Sequence, residues 1–377
     1  MFPKNTLSKP LSPRFGKISA TVITAGLLAG LLTGCSVAAN NGTPAPGDSN
    51  SPSASVVYDT APLTGIQYPQ GTNSFLAGPV VMGKIDNAPD ARPQLGLSKA
   101  DIVIDEMVEG GLTRFLAIWH SRQPDQFGPI RSVRPMDPDL ATAFGGIISY
   151  SGGQRPFVAA MQATGIYNAT ETSEQSHKTM VRVTDRVAPH NLFVKAKDLQ
   201  SQHMALGAPK PPFSFSPDLA SSTASIFGKD NVESVTAQFP AATAVWTWNG
   251  KKFARTQDGK VHTDALDGKQ LTADNVLVLR VAVDRSFRDP RYGFVPKTLL
   301  EGTGKGTVFS NGKSLDVTWT KTSASQYVVL TDSNGNVIKL APGNTWFELV
   351  PTDVGKVTVK YATVIQDGAS PSATPKK

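Results

Sequence analysis

The sequence predicts a mixed α/β N-terminal domain followed by a β-rich C-terminal domain whose strands are mostly antiparallel. Two observations predict this order. Between about residues 62 and 212, apolar strand-like runs alternate with helix-like segments, which is typical of layered α/β folds. After about residue 230, Asn-Gly and Asp-Gly dipeptides separate runs rich in Val, Thr, Trp and Tyr, which is typical of β-hairpins. With 377 residues, 40% of them apolar, the chain is long enough for two or three cores.

The N-terminal domain is predicted over residues 61–212. Its predicted strands and helices are, in order, strands at 80–85, 102–107, 114–119 and 147–150, and helices at 137–144 and 157–164. The C-terminal domain is predicted over residues 213–366. Because Asn-Gly and Asp-Gly adopt positive φ at both central positions of a type I′ turn, five such dipeptides predict hairpins: Asn249-Gly250, Asp258-Gly259, Asp267-Gly268, Asn311-Gly312 and Asn334-Gly335.

The N-terminus has the order of an export signal. Residues 1–17 are basic, residues 18–32 are apolar, and Thr33-Gly34-Cys35 follows. The apolar run is shorter than the roughly 20 residues of a membrane-spanning helix. Leu32-Thr33-Gly34-Cys35 resembles a bacterial lipobox, in which the cysteine carries a diacylglycerol. The alternative is an uncleaved anchor helix that ends in a free or buried cysteine.

We therefore predict a lipoprotein signal peptide over 1–34 and lipidation of Cys35. Acyl chains on this cysteine would hold the protein at the cell membrane, on its extracytoplasmic face. Residues 35–60 and 367–377 are rich in Ser, Pro, Gly and Asn or Ala, which predicts a flexible tether and a disordered tail.

Charge and cysteine content exclude several classes of protein. The formal net charge is +7, but residues 1–34 hold four basic and no acidic residues, so the remainder has 33 basic and 30 acidic residues. This near balance argues against a nucleic-acid partner, whose binding requires many neutralised phosphates. A single cysteine excludes an internal disulfide and a multi-thiolate metal site.

The segment from 84 to 134 holds the residues most typical of a binding site. Arginines and acids border predicted strand ends and Gly/Pro turns there, where ligand sites of α/β sheets collect; they are Asp86, Arg92, Asp105, Glu106, Glu109, Arg114, Arg131 and Arg134. Three interpretations stay open. The arginines form an anion pocket, helped by backbone amides of the Gly110-Gly111 turn; an acid acts as a base or metal ligand; or the cluster is a structural ion-pair network.

No metal or other cofactor is predicted. The histidines His120, His177, His190 and His203 have no spacing that places two of them on one helical face. A scattered histidine is usually a structural residue.

The same segment carries a family resemblance. Lys84-Ile-Asp-Asn, Ala91-Arg-Pro-Gln, Glu109-Gly-Gly-Leu-Thr-Arg-Phe-Leu, Gly128-Pro-Ile-Arg-Ser-Val-Arg-Pro and Ala188-Pro-His-Asn-Leu, with Val261-His-Thr-Asp-Ala and Pro342-Gly-Asn-Thr-Trp in the second half, resemble the YerB-like family of bacterial lipoproteins. The resemblance covers most of residues 62–350. It implies an envelope lipoprotein with an N-terminal and a β-rich C-terminal domain. The family is defined as a domain of unknown function, so the resemblance implies no activity and no catalytic residues.

The sequence favours a non-enzymatic, lipid-anchored binding module over an enzyme. Its expected ligand is an anionic wall polymer, a lipid-linked precursor or another envelope protein, bound by Arg92, Arg114, Arg131 and Arg134 with Asp86 and Glu109. The alternative is an envelope hydrolase or transferase acting on a phosphate- or glycan-containing substrate. In that case Asp105 or Glu106 would serve as the base and the arginines would stabilise developing charge.

Overall fold

The structure of the chain, a computed structural model, describes residues 56–291 and 293–363. The predicted signal peptide over 1–34, Cys35, most of the predicted tether and the tail over 367–377 lie outside these described residues. The last three residues assigned to the tether, Tyr58–Thr60, form a strand. In the described part of the chain, no helix combines the length and the apolar character that crossing a membrane requires.

The N-terminal half is mixed in composition. Its strands are β1 (Tyr58–Thr60), β2 (Gln67–Pro69), β3 (Val81–Asp86), β4 (Ile102–Met107), β5 (Thr113–Trp119), β6 (Gln126–Phe127), β7 (Ile147–Ser149), β8 (Tyr167–Ala169), β9 (Met180–Arg182) and β10 (Leu192–Lys195). Its α-helices are α1 (Asp137–Ala141), α2 (Arg155–Gln162) and α3 (Ala196–Ser201). Single 3₁₀ turns lie at Ser74–Ala77, Pro89–Ala91, Leu97–Lys99, Glu109–Gly111, Thr142–Phe144 and Met204–Leu206.

The C-terminal half is rich in strands. They are β11 (Ser214–Phe215), β12 (Val232–Phe239), β13 (Ala242–Trp248), β14 (Phe253–Gln257), β15 (Lys260–Val261), β16 (Thr272–Ala273), β17 (Asn275–Asp284), β18 (Arg288–Asp289), β19 (Gly293–Phe294), β20 (Lys297–Leu299), β21 (Gly302–Ser310), β22 (Lys313–Lys321), β23 (Val329–Thr331), β24 (Lys339–Leu340), β25 (Thr345–Pro351) and β26 (Lys356–Tyr361). One short helix, α4 (Thr223–Phe227), precedes β12. The predicted mixed and β-rich characters of the two halves are confirmed.

One large sheet contains strands from both halves. Its order is β23-β22-β21-β17-β25-β4-β5-β3-β7-β8, and β20 pairs with the far end of β17. The halves join at the parallel pair β25–β4, where Thr345 lies opposite Ile102. The boundary predicted at residue 212 therefore divides the sequence without dividing the sheet, and the two-domain description stays a prediction.

The large sheet packs on both faces because successive side chains of a strand point in opposite directions. Val103 and Phe115 belong to the apolar core beneath a second sheet of order β15-β14-β13-β12-β26. Ile104 and Leu116 belong to the core on the opposite face, which includes Leu140 of α1. Strands buried on both faces explain why the sequence shows continuous apolar runs there instead of alternation.

Two of the five predicted turns have the backbone of type I′. Asp258 and Gly259 join β14 to β15 with φ of 50° and 75°, and Asn311 and Gly312 join β21 to β22 with φ of 52° and 68°. In the other three dipeptides only the glycine has positive φ, so they form other turn types.

His120, which follows β5, is fully buried and gives the fold a pH-dependent stability. Its Nε2 lies 3.1 Å from the Gly78 carbonyl oxygen, which can only accept, so Nε2 carries the proton. Burial, partly opposed by this hydrogen bond, lowers the pKa of His120 to about 4. Between about pH 6.5 and 4 the unfolded chain binds a proton that the folded chain excludes, so stability falls as the pH falls.

We expect the free energy of unfolding of His120→Gln, which keeps a donor near Gly78, to fall less than that of the native chain as the pH is lowered, by up to about 3 kcal/mol. The measurement is urea unfolding of both proteins at several pH values across that window. Parallel pH profiles for the two proteins would contradict the prediction.

Candidate functional site

A cavity of about 410 Å³, the arginine cavity, lies beside the ends of β3 and β5. Its lining includes five of the six residues that the sequence predicts as ligand-binding: Asp86, Glu109, Arg114, Arg131 and Arg134. These residues come from separate strand ends and loops of the N-terminal half. The fold therefore brings most of the predicted cluster together in one place.

Arg114 lies at the start of β5, opposite Asp86 of β3. Arg114 as a whole is 8% exposed, and its guanidinium donates from Nη1 to the Ser132 carbonyl at 3.2 Å. Among the described residues, no carboxylate lies within ion-pair distance of it. Burial, followed by the charges of Arg134 and Arg131, lowers the pKa of Arg114 to about 10, although the charges of Asp86 and Glu109 oppose this shift. The group stays protonated at neutral pH, in a position where two neighbouring cations repel it.

Asp86 fixes the position of Arg131. The Arg131 Nε lies 2.9 Å from Asp86 Oδ2, and the His190 Nδ1 lies 2.8 Å from the same oxygen. Arg131 is about one quarter exposed. Its two terminal nitrogens have no hydrogen-bond partner within residues 56–291 and 293–363, so they are available to a ligand.

Glu109 fixes Arg134 in the same way. The Arg134 Nε donates to Glu109 Oε2 at 2.7 Å, and Nη1 donates to the Val133 carbonyl at 3.0 Å. Burial tends to raise the pKa of Glu109, but the hydrogen bond and the charge of Arg134 outweigh it and lower that pKa. Glu109 is therefore ionised at neutral pH and orients the arginine.

Sequence reasoning missed several residues of the cavity wall, namely Ser132, Gln154 and Arg291. Gln154 follows a glycine-rich turn between β7 and α2, which is a local signal. Arg291 comes from the C-terminal half, and nothing in its neighbourhood in the sequence relates it to Arg114. With Arg291 included, four guanidinium groups and two carboxylates line the cavity, which favours a bound anion.

Arg92, also predicted as a ligand residue, lies outside this cavity. Its Nη2 lies 2.7 Å from Asp258 Oδ2 and donates to the Asn87 carbonyl at 2.7 Å. It borders a separate cavity of about 230 Å³ together with Gln257 and His262. These contacts connect the loop after β3 with the β14–β15 hairpin.

Asp105 and Glu106, the acids predicted for an enzymatic role, are buried in the interior. Adjacent residues of β4 face opposite cores, so the Asp105 Oδ2 accepts from Arg255 Nη2 at 2.7 Å, whereas Glu106 pairs with Lys84. Both side chains are at most 1% exposed. Neither acid lines the arginine cavity, and this placement gives no support to a catalytic role for them.

Lys84 forms a buried triad with Glu106 and Asp137. Its Nζ lies 2.8 Å from Asp137 Oδ1, and the other oxygen of Asp137 accepts the backbone N–H of Arg134 at 2.5 Å. The interior charge therefore supports the segment that carries Arg134. The sequence signal was a lysine inside an apolar strand, because a buried lysine requires a partner.

Neither glycine of the Gly110-Gly111 turn lines the cavity, so the structure gives no support to the amide part of the anion-pocket interpretation. The Gly111 N–H donates to the Val108 carbonyl at 3.3 Å. Gly111 has a φ of 75°, and a Cβ there would lie 2.6 Å from the Pro240 Cβ. Glycine is required here by backbone conformation and by close packing against the C-terminal half.

Comparisons with known proteins agree with the resemblance seen in the sequence. Two family profiles, described as the N-terminal and C-terminal domains of a protein of unknown function (DUF3048), match residues 63–208 and 235–347. YerB of Bacillus subtilis (strain 168), which is named as a candidate lipoprotein, is 28% identical over 303 residues, or 77% of this chain and 86% of YerB.

A crystal structure of YerB from Bacillus subtilis has the same fold. It matches with a TM-score of 0.66 and 24% identity, and the match covers 79% of this chain and 99% of the YerB chain. The chain belongs to the DUF3048 family, which is also the family of YerB.

Proposed function

We propose that this protein is a lipid-anchored binding module of the cell envelope that holds a phosphate-bearing ligand in its arginine cavity. The ligand class is an anionic wall polymer or a lipid-linked precursor, which share the phosphate oxyanion. The lipobox-like Leu32-Thr33-Gly34-Cys35 and the lipoprotein name of YerB support the anchor. The arrangement of Arg114, Arg131 and Arg134 supports the ligand class.

The main support for the proposal is that Arg114 is buried without a carboxylate at ion-pair distance in the described residues. Burying a charge without a direct ion-pair partner is costly, and the two arginines beside it add to that cost, which the charges of Asp86 and Glu109 offset only in part. A bound oxyanion would remove the cost, since guanidinium groups bind phosphate through paired, charge-assisted hydrogen bonds. The terminal nitrogens of Arg131, which face no protein acceptor in the described residues, would bind the same anion.

Binding is a better fit than acid–base catalysis. The two acids of the cavity, Asp86 and Glu109, are held in ion pairs by Arg131 and Arg134. A general base near neutral pH needs a raised pKa, whereas that of Glu109 is lowered. The carboxyl group of Asp105, whose pKa is raised well above its ordinary value, lies in the interior beside Arg255.

We expect Arg114→Gln and Arg131→Gln each to weaken the binding of pyrophosphate by about 10- to 100-fold, the worth of one charge-assisted hydrogen bond. Arg114→Gln should leave the melting temperature of the unliganded protein unchanged or raise it, because it removes a repelled, buried charge. The measurement is calorimetric titration together with a thermal melt.

The matched control is Arg285→Gln, which breaks a surface pair with Asp353 and should leave pyrophosphate affinity unchanged. Poly(glycerol phosphate) and vesicles containing a polyprenyl phosphate distinguish the two ligand sources. Tighter binding of the polymer identifies a wall polymer, and tighter binding of the vesicles identifies a lipid-linked precursor. Equal affinity in all three variants, or no binding of any phosphate probe, would refute the proposed function.

A further inference from the structure

A second cluster of ligand-bearing side chains lies outside the arginine cavity. Glu174, His177 and His203 each offer one ligand atom, and these atoms all lie within 4.8 Å of one another. The turn over 170–178 supplies the first two residues, and His203 follows α3. The sequence predicted no metal site because its histidines share no helical spacing; here the fold supplies the proximity instead.

His203 is held in the tautomer that a metal ligand needs. Its Nδ1 lies 2.9 Å from the carbonyl oxygen of Leu199. Because that oxygen can only accept, Nδ1 carries the proton and Nε2 keeps its lone pair. The ring also packs on Tyr167, with centroids 4.0 Å apart. A backbone acceptor on the second nitrogen is the usual support of a metal-bound imidazole.

Glu174 is a buried carboxylate whose neighbours orient it without neutralising it. Its Oε1 accepts from the Tyr167 hydroxyl at 2.8 Å, and its Oε2 accepts from the Thr179 hydroxyl at 2.6 Å. Its side chain is fully buried, and within the described ranges no lysine or arginine pairs with it. In the described residues its one ion-pair partner is His177, which is charged only when protonated. A buried carboxylate without a permanent cation is costly, and a metal ion would supply that charge.

His177 completes the set from the solvent side. Its side chain is 43% exposed, and its Nδ1 lies 3.5 Å from Glu174 Oε2. Ligand atoms around one tetrahedral Zn²⁺ stand roughly 3.3 Å apart, so this separation fits a single metal ion, and the other separations in the set stay within 4.8 Å. The open side leaves coordination positions for water or an external ligand.

We propose that Glu174, His177 and His203 form a site for a divalent first-row transition metal, with Zn²⁺ as its best probe. Two imidazole nitrogens and one carboxylate oxygen suit ions of borderline softness, whereas Ca²⁺ and Mg²⁺ require oxygen-rich sets. The inference is independent of the proposed function, since it uses no residue of the arginine cavity.

The test uses the full chain without an affinity tag, titrated with Zn²⁺ in competition with a chromophoric chelator. We expect one Zn²⁺ to bind and Ca²⁺ not to displace it. Glu174→Gln and His177→Ala should each weaken Zn²⁺ binding by at least about tenfold, and Tyr167→Phe by about tenfold through the loss of its support to Glu174. The visible spectrum of bound Co²⁺ should change in the same variants.

The matched control is Glu171→Gln, on the same turn, where the carboxylate pairs with Arg182 at the surface. It should bind Zn²⁺ as the native chain does. His177→Ala alters an exposed side chain, so loss of folding does not complicate its interpretation. Absence of saturable Zn²⁺ binding, or native affinity in both Glu174→Gln and His177→Ala, would overturn the proposal.

Discussion

Replacing Lys84 with methionine is expected to lower the free energy of unfolding by about 3–5 kcal/mol, because it leaves two buried acids without their cation. Lys84 is fully buried, and Glu106 and Asp137 share its charge. Burial, partly opposed by Asp137, lowers the pKa of Lys84 to about 8, so the lysine is mostly charged at neutral pH. Equilibrium unfolding in urea measures the loss.

Two further variants separate charge pairing from loss of packing. Lys197→Met breaks the exposed pair with Asp125, whose side chains are 47% and 82% exposed, and we expect a much smaller effect there. Adding Glu106→Gln to Lys84→Met should restore part of the lost stability, because it removes one unpaired charge. If the double variant were no more stable than Lys84→Met, the loss would come from packing and the prediction would fail.

Replacing Arg255 with methionine is expected to cost a similar amount, about 3–5 kcal/mol. The guanidinium is completely buried and lies 2.7 Å from Asp105 and 3.4 Å from Glu348. It also lies within 5.5 Å of the ring centroids of Trp246 and Trp346, where cation–π attraction adds to its stability. Thermal or urea unfolding of the variant measures the cost.

The stability lost in Arg255→Met should depend on pH, and the pKa values of Asp105 and Glu348 determine whether the loss grows or shrinks as the pH rises. Burial, and then the charge of Glu348, raises the pKa of Asp105 well above its ordinary value; burial likewise raises the pKa of Glu348, although Arg255 opposes it. Without Arg255 both pKa values rise further, and an acid with a raised pKa loses stability as the pH rises. The deficit of Arg255→Met should therefore be larger at about pH 8 than at about pH 5.

Arg285→Met, which breaks the surface pair with Asp353, is the matched control for this pH dependence. We expect it to show a small deficit without that trend. A deficit of Arg255→Met that shrinks as the pH rises would contradict the assignment of the pair Asp105–Glu348.

Individual strands and turns were predictable because residues that are adjacent in the sequence determine them. The apolar runs at 102–107 and 114–119 became β4 and β5 since β-rich runs bounded by turn residues have few alternatives. Asp258-Gly259 and Asn311-Gly312 formed type I′ turns. Strand ends carrying Asp86 and Arg114 converge because the two strands pair in register.

The remaining features depend on contacts between distant parts of the chain. Because side chains alternate between the two faces of a strand, the face of β4 on which Asp105 lies can be predicted. Its partner Arg255, however, comes from β14, and no local sequence pattern relates the two residues. The same holds for Arg291 in the cavity wall and for His203 beside Glu174. Arg92 shows the converse, since proximity in sequence to Asp86 did not place it in the cavity.

The position of β25 in the large sheet also affects how the chain folds during synthesis. β4 needs β25 on one side, yet β25 begins only at Thr345. A nascent chain that emerges from its N-terminus therefore keeps the edge of β4 open until residues 345–351 have been made. Open edges promote pairing between chains, so β25 protects the N-terminal strands from intermolecular association, and truncation before Thr345 would remove that protection.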